Sequence, residues 1–157
     1  MEPQDSDLVI DRIFDAPLEK VWKAFSDPEM IKKWWGPKEF TCPVAKIDFR
    51  EGGSYLFCMR DQKGKDFYSG GKYEQIIDGE KIVYSDSFMD KDGNVVSPKE
   101  YGFGEDFPQQ LTVLVYFEEV DGKTKMQLRH QGMPENQKSD CTKGWNSSFD
   151  KLMDAVK

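Results

Sequence analysis

The chain has 157 residues, of which 38% are hydrophobic and 32% charged, a balance typical of a folded and well-solvated protein. Because 29 acidic residues outnumber 22 basic ones and give a net charge of −7, binding to a nucleic-acid backbone is disfavoured. No apolar run approaches the ~18 residues that a membrane-spanning helix requires, so we expect no membrane insertion.

The first predicted elements are a strand and a helix. Residues 8–14 are rich in branched and aromatic side chains, which favour a strand. Asp15 and Pro17 follow as a helix-start signal, an acidic cap with a proline in the first turn. Apolar residues then recur every three or four positions: Leu18, Val21, Trp22 and Phe25. This pattern predicts a helix with one buried face.

A second, shorter helix is predicted directly after the first. Asp27 and Pro28 repeat the start signal, and the Gly-Pro pair at 36–37 ends the helix. Trp34 and Trp35 are adjacent on this helix, so they cannot both point into the core. We expect one ring to be buried and the other to be partly exposed.

From residue 44 onward, apolar residues alternate with polar ones, as in half-buried strands. Glycine-containing turns, such as the one that begins at Asp78, separate successive strands and predict antiparallel hairpins in a meander. Gly70 and Gly71 indicate a bulge or a sharp bend inside one strand. The predicted strands cover residues 44–49, 54–60, 67–77, 81–88, 111–117 and 124–131.

The last predicted element is a long amphipathic helix that runs to the end of the chain. Its apolar residues recur at spacings of three and four: Cys141, Trp145, Phe149, Leu152, Met153 and Val156. Ser139 is the candidate cap. Gly144 lies inside the helix, where glycine costs about 1 kcal/mol relative to alanine. We expect it to permit close packing on the sheet, with a merely tolerated glycine as the alternative.

Residues 89–109 have no clear period and contain several glycines and prolines. Structureless stretches of this length are uncommon in compact domains and are often lids or binding loops. Tyr101, Phe103 and Phe107 add apolar surface that needs a partner. A lid or binding loop, and a short helix or surface flap, are both open interpretations.

The order of these elements predicts an α+β fold. It consists of a curved antiparallel sheet of about six or seven strands, two short N-terminal helices and one long C-terminal helix. No linker or internal repeat divides the sequence. We therefore expect one domain over residues 1–157, with a structured core at about 8–156 and a flexible start at 1–7.

Several short motifs, taken together, resemble one protein family. They are Arg12 with Asp15-Ala16-Pro17, Val21-Trp22 with Ala24, Asp27-Pro28-Glu29, Trp34-Trp35-Gly36-Pro37, Asp48-x-Arg50-x-Gly52-Gly53-x-Tyr55, Gly71-x-Tyr73 and Gly144-Trp145. The family is named for the C-terminal domain of the activator of the heat-shock-protein-90 ATPase. It belongs to the helix-grip superfamily of START-related, birch-pollen-allergen-like and polyketide-cyclase domains (SRPBCC). The resemblance covers roughly residues 8–156 and implies a helix-grip fold, in which the sheet curves around the long helix.

The resemblance implies an apolar cavity between the sheet and the C-terminal helix. Members of the superfamily bind lipids or other hydrophobic molecules, cyclise polyketides, or stimulate a chaperone ATPase during stress. A shared fold does not choose among these functions. The choice has to come from the residues of the site.

His130 is the single histidine of the sequence, so any catalytic triad would have to use it. It shares strand parity with Met126 and Leu128, which would place it at the cavity border. A general base and a structural histidine are the two interpretations, and the second is favoured. No residue spacing indicates a metal site or a cofactor. Residues 1–7 lack an export signal, so we expect reduced cysteines and a cytoplasmic location.

The leading hypothesis is non-catalytic binding of a small hydrophobic molecule, lipid-like or aromatic, between the sheet and the C-terminal helix. The predicted cavity residues, taken from alternation and resemblance together, are Trp34, Phe57, Tyr73, Tyr84, Phe88, His130, Trp145 and Phe149. One alternative is a protein-interaction module that stimulates a heat-shock chaperone. Another is a cyclase-like enzyme that pairs His130 with Tyr73 or Tyr84.

Overall fold

The computed structural model describes residues 7–157. The predicted flexibility of residues 1–7 therefore lies, apart from Asp7, outside the described residues. The strands in the described range are β1 (Leu8–Phe14), β2 (Thr41–Ile47), β3 (Ser54–Arg60), β4 (Asp66–Ile77), β5 (Lys81–Met89), β6 (Leu111–Val120) and β7 (Lys123–Gln131). The α-helices there are α1 (Leu18–Ser26), α2 (Pro28–Trp34) and α3 (Lys138–Ala155). None of these helices is both long enough and apolar enough to cross a membrane.

The strands form one antiparallel sheet in the order β1-β7-β6-β5-β4-β3-β2. Strands β2 to β7 are a meander, because each pairs with the strand that follows it in the chain. Strand β1 completes the sheet by pairing with β7, with Leu8 opposite His130 and Phe14 opposite Thr124. The predicted α+β helix-grip fold is confirmed, including the two short helices before β2 and the long helix after β7.

The best-packed part of the core lies where α2 and the C-terminal half of α3 meet the sheet. Trp34 is fully buried, and its indole N–H donates to the carbonyl oxygen of Ala24 at 2.8 Å. Its neighbour Trp35 is only half-buried, as expected for adjacent residues. Phe149 on α3 is also fully buried, with its ring centroid 6.1 Å from that of Phe14 and 6.0 Å from that of Trp34.

Polar contacts hold the C-terminal half of α3 in place. The Arg12 guanidinium on β1 forms an ion pair with Asp150, with Nη2 2.8 Å from Oδ1. On another side of the helix, the Lys151 ammonium donates to the carbonyl oxygens of Pro37 at 3.2 Å and Phe40 at 3.1 Å. These contacts join α3 to the first strand and to the segment that follows α2.

The helix starts agree only partly with the sequence signals. Asp27 caps α2, because its side chain accepts the backbone N–H of Glu29 at 2.9 Å, as predicted. The prediction for Asp15 was wrong, since α1 begins after Pro17 and has no side-chain cap. The prediction for Ser139 was also wrong. It lies inside α3, which continues directly from a 3-10 turn and has no side-chain cap at its start.

The paired glycines of β4 allow two neighbouring strands to approach closely. A Cβ atom on Gly71 would collide with the carbonyl oxygen of Ser85, and one on Gly70 with that of Tyr55. The register of β4 against β5 shifts just beyond, after Tyr73. The predicted irregularity is therefore present, and it falls slightly later in the strand than the glycines themselves.

Candidate functional site

A cavity of about 320 Å³ lies between the sheet, the N-terminal half of α3 and the segment that joins β5 to β6. Its larger apolar wall residues are Trp35, Met59, Phe88, Phe103, Phe107, Leu111, Met133 and Trp145. Its polar wall residues include Ser69, Asp86, Ser87, His130, Gln137, Asp140, Cys141 and Ser148. The volume is at the lower end of the range for small-molecule sites.

One face of α3 forms a wall of this cavity. Cys141, Gly144, Trp145 and Ser148 recur at spacings of three and four, so they lie along one side of the helix. A Cβ atom on Gly144 would meet only the Cγ of Pro37, at an ordinary contact distance of 3.6 Å. The expected close packing of α3 on the sheet at this glycine is therefore not observed. The missing side chain leaves space in the cavity instead.

Residues 90–110, which join β5 to β6, contribute another wall of the cavity. They contain a short 3-10 helix, Pro98–Tyr101, followed by two aromatic residues that turn toward β5. Phe103 stacks on Phe88 with 5.0 Å between ring centroids, and Phe107 lies 4.8 Å from Phe103. The short-helix interpretation of this stretch is met, whereas a lid or binding loop stays a prediction, although the two phenylalanines line the cavity.

His130 is a buried polar group on the cavity wall, with only 4% of its surface exposed. It faces inward with Met126 and Leu128, as their shared strand parity predicts. The Trp145 indole N–H donates to Nδ1 of His130 at 3.2 Å, and the Cys141 Sγ lies 3.8 Å from the same nitrogen. Because an indole N–H can only donate, this hydrogen bond requires Nδ1 to be unprotonated and places the ring proton on Nε2.

The Nε2 nitrogen of His130 has no hydrogen-bond partner among residues 7–157. Oδ2 of Asp86 is 3.4 Å away, close enough for electrostatic attraction, but the geometry is too poor for a hydrogen bond. A buried donor without a partner costs about 1–3 kcal/mol. Within the described part of the chain, this N–H is therefore an unsatisfied buried donor on a residue that lines the cavity.

The environment of His130 pulls its protonation in two directions. Burial lowers the pKa of the imidazole, but the Asp86 carboxylate and the Cys141 thiol outweigh burial and raise the pKa from 6.5 to about 9. Trp145 opposes protonation, because a proton on Nδ1 would face the indole N–H. Protonation of the ring and the hydrogen bond from Trp145 therefore exclude one another.

All three cysteines of the chain are free thiols. Cys42 and Cys58 are buried, and burial raises the pKa of the Cys42 thiol to about 11. Cys141 is half-buried and is the one that lines the cavity. Over the described part of the chain, no three His, Cys, Asp or Glu side chains lie close enough together to hold a metal ion.

The family model for activator of Hsp90 ATPase homolog 1-like proteins matches residues 15–157. The chain belongs to this family. The observed fold is consistent with the wider SRPBCC superfamily, in which the sequence motifs also place the chain. A search of curated proteins finds no match.

Solved structures share the fold over almost the whole length of this Hsp90-activator-like chain. A Chromobacterium violaceum protein is 26% identical, with a TM-score of 0.80 and 98% of each chain covered. A Nitrosomonas europaea protein is 20% identical, with a TM-score of 0.77 and coverage of 98% of this chain and 96% of that one. The AHSA1 protein from Silicibacter pomeroyi is 19% identical, with a TM-score of 0.74 and coverage of 94% of this chain and 95% of that one.

The structure brings part of the predicted site together. The predicted residues that line the cavity are Phe88, His130 and Trp145. The others are buried in the core and do not line it: Trp34, Phe57, Tyr73, Tyr84 and Phe149. Two of them form a second layer, because the Phe57 ring lies 4.6 Å from that of Trp35 and the Phe149 ring lies 5.5 Å from that of Trp145. Alternation identified inward-facing residues without showing which of them border empty space.

The tyrosines suggested as partners of His130 lie away from the cavity wall. Tyr73 and Tyr84 pack against Tyr55, with ring centroids 5.6 Å and 5.2 Å from it. Burial raises the pKa of both hydroxyl groups above the ordinary value of 10.

The predicted cavity residues do not include several residues of the observed wall: Trp35, Asp86, Phe103, Phe107 and Cys141. Asp86 carries a usable signal, because it alternates with Tyr84 and Phe88 on β5 and thus shares their face. Cys141 also carries one, since it precedes Trp145 by one helical turn. The approach of both residues to His130 depends on how α3 lies on the sheet, which no local pattern encodes.

Proposed function

We propose that the chain binds a small hydrophobic molecule in the cavity between the sheet and α3, as a binding protein rather than a catalyst. The main support is a cavity of about 320 Å³ with aromatic walls and one buried imidazole N–H that lacks a partner among the described residues. An apolar pocket with a few converging polar groups is the usual form of a small-molecule site. Membership of a family related to hydrophobic-ligand carriers points the same way.

The size of the cavity limits the guest. An apolar cavity of about 150 Å³ accommodates one benzene ring, so a cavity of about 320 Å³ suits roughly ten to fourteen non-hydrogen atoms. Two fused aromatic rings fit this volume, and so does a short acyl chain. A sterol or a full-length fatty acid is too large for it.

The polar groups favour a neutral guest with a hydroxyl group. A hydroxyl oxygen can accept from Nε2–H of His130 while its proton points toward the Asp86 carboxylate. A carboxylate guest would instead meet the like charges of Asp86 and Asp140, which both line the cavity and outnumber the single positive charge of a protonated His130. We therefore propose a small aromatic alcohol or phenol as the preferred type of ligand.

Titration with three ligands of the same ring size tests this proposal. We expect 2-naphthol to bind more tightly than naphthalene, and naphthalene more tightly than 2-naphthoate. NMR spectra of the ¹⁵N-labelled protein should show shifts at the indole N–H of Trp35 and of Trp145. An absence of shifts with all three compounds would contradict the proposal, and tighter binding of naphthoate would contradict the assigned polarity.

Two substitutions on α3 serve as a matched pair. Cys141→Phe places a large side chain on the cavity wall and should abolish binding of 2-naphthol. Lys143→Phe adds the same side chain to an exposed position of the same helix and should leave binding unchanged. Equal loss of binding in both variants would show that the ligand does not occupy the cavity.

A second candidate function rests on the family description. The family is named for an activator of the Hsp90 ATPase, and contact with a chaperone does not require a cavity. The test is the rate of ATP turnover by the Hsp90 of the same cell, measured with and without this protein. A concentration-dependent rise supports stimulation, and an unchanged rate rejects it.

A further inference from the structure

Three reactive side chains from different elements meet at one corner of the cavity. Cys141 comes from α3, His130 from β7 and Asp86 from β5, and all three line the wall. Cys141 Sγ is 3.8 Å from Nδ1 of His130, and Asp86 Oδ2 is 3.4 Å from Nε2 on the opposite side of the ring. The imidazole therefore lies between a thiol and a carboxylate, the arrangement that activates a cysteine nucleophile.

We propose that Cys141 is a nucleophilic thiol that captures an electrophilic aromatic guest, an α,β-unsaturated carbonyl compound, as a thioether adduct. The inference extends the proposed function, because the guest must first enter the same cavity. The thiol proton passes to Nδ1 of His130 while a sulfur electron pair forms the bond to the β-carbon. The C=C π pair becomes an enolate, which then takes the proton from Nδ1. Atoms and charges balance without an oxidant, a reductant or a leaving group.

The proton positions suit this reaction. The hydrogen bond from Trp145 shows that Nδ1, the nitrogen that faces Cys141, carries no proton; its one lone pair accepts the indole N–H, which must move aside when the thiol transfers its proton. The proton on Nε2 faces Asp86, whose negative charge stabilises the imidazolium that forms when the thiol loses its proton. The thiol–imidazole and thiolate–imidazolium forms differ in the position of that one proton. In the second form, the indole N–H of Trp145 no longer donates to Nδ1.

The other two cysteines lack this environment. Cys42 is 5% exposed and Cys58 is fully buried, and neither lines the cavity. Burial raises the pKa of both thiols, which disfavours the reactive thiolate. They therefore serve as internal references for the reactivity of Cys141 within the same molecule.

The walls of the cavity determine the type of electrophile. Trp145, Phe88 and Phe103 offer aromatic faces to a ring, which places a conjugated substituent near the sulfur of Cys141. 4-Phenylbut-3-en-2-one has such a ring, and its eleven or so non-hydrogen atoms match the roughly ten to fourteen that the volume allows. As a ketone, it also forms imines with surface lysines less readily than an aldehyde does.

The decisive measurement is the rate of adduct formation with this enone at pH 9, where about half of the His130 rings are neutral and can accept a proton, followed by intact-protein mass spectrometry and peptide mapping. We expect one adduct, on Cys141, formed at least about tenfold faster than the adduct of glutathione. Cys42 and Cys58 should remain unmodified. A rate at Cys141 no higher than that of glutathione, or equal labelling of the three cysteines, overturns the inference.

Variants test the role of the imidazole. Cys141→Ser should give no adduct, and Cys58→Ser should react like the unmodified chain. His130→Asn should reduce the rate to about that of glutathione and change the shape of the pH–rate profile, because the base that accepts the thiol proton is gone. Asp86→Asn should slow the reaction about fivefold, which gives a second test if His130→Asn does not fold. Besides His130, the titratable groups on the cavity wall are Asp86, Asp140 and Cys141.

A saturated analogue separates this inference from the proposed function. 4-Phenylbutan-2-one has the same size and shape but cannot be attacked by a thiol. If it binds and the enone reacts no faster than with glutathione, the nucleophile is wrong and the binding site stands. If neither compound interacts with the protein, both proposals fail.

Discussion

The two halves of α3 share one apolar repeat and do different things with it. In the C-terminal half, Phe149 and Leu152 are fully buried against the sheet. In the N-terminal half, Cys141 and Trp145 are half-buried beside a cavity, and Gly144 contributes no side chain at all. One amphipathic helix can therefore pack against the sheet with one half and border a cavity with the other.

The largest expected effect is on stability, at the C-terminal half of α3, which packs against the sheet. Phe149→Ala removes a ring that contacts other buried rings, and it should cost about 3–5 kcal/mol of unfolding free energy. Trp145→Phe replaces one aromatic ring by a smaller one in the N-terminal half of α3, and it should lower the unfolding free energy by less than about 1.5 kcal/mol. Urea denaturation measures both values. Similar losses for the two variants would remove the distinction between the halves of α3.

The next effect is a pH dependence of stability that comes from His130, beside the cavity at the N-terminal half of α3. The pKa of His130 rises from its ordinary value of 6.5 to about 9 in the folded chain, so folding favours the protonated ring. This contribution, up to about 3 kcal/mol, is fully present below pH 6.5 and is lost as the pH rises through about 9. Denaturation at several pH values should show the loss, and His130→Asn should flatten the curve. Stability that rises over this range contradicts the prediction.

This measurement should stop near pH 9. The buried thiols of Cys42 and Cys58 have raised pKa values, so they lower stability above the ordinary thiol pKa of 9.0, where the unfolded chain ionises.

Trp145→Phe gives a second test of the pH dependence, because it removes the indole N–H that opposes protonation of His130. The pH-dependent loss should be larger in this variant than in the unmodified chain.

A smaller effect concerns ligand affinity. Trp145→Phe removes part of the aromatic wall and should weaken binding of 2-naphthol about tenfold, which is about 1.4 kcal/mol. Trp22→Phe is the matched control, because the Trp22 ring packs against Phe117 and Phe49 and does not line the cavity. Isothermal titration calorimetry measures both affinities. An equal loss in the control would place the ligand elsewhere.

The smallest expected effect has opposite signs for stability and binding. Gly144→Ala should raise the unfolding free energy by up to about 1 kcal/mol, because alanine favours a helix and the new Cβ meets only Pro37 at an ordinary distance. The same methyl group reduces the cavity volume and should weaken binding of 2-naphthol. Thermal unfolding and a ligand titration on one sample check both. A destabilised variant would mean that the helix does pack closely at this position.

Local patterns in the sequence account for most of the fold. Alternation predicts the strands, and the cap at Asp27 agrees with the observed helix start. The inward direction of His130 also follows from strand parity. The signals failed at Asp15 and Ser139 because α1 begins only after Pro17, at Leu18, and because α3 continues directly from a 3-10 turn.

The cavity itself was beyond local patterns. Alternation gives the direction of a side chain, whereas a cavity depends on the distance between α3 and the sheet. Trp34 illustrates the limit: it faces inward as expected, yet its indole donates to Ala24 in the packed core, and Trp35 borders the cavity instead. The placement of Phe103 and Phe107 likewise depends on how an irregular segment folds back over β5.

The hydrogen bond from Trp145 to His130 has a practical consequence. It can form only while Nδ1 carries no proton, so the indole is a built-in reporter of the charge on its neighbour. Fluorescence intensity and the indole proton resonance should follow the titration of one buried ring without any added label. A molecule that binds beside these two rings should change the same fluorescence and resonance signals.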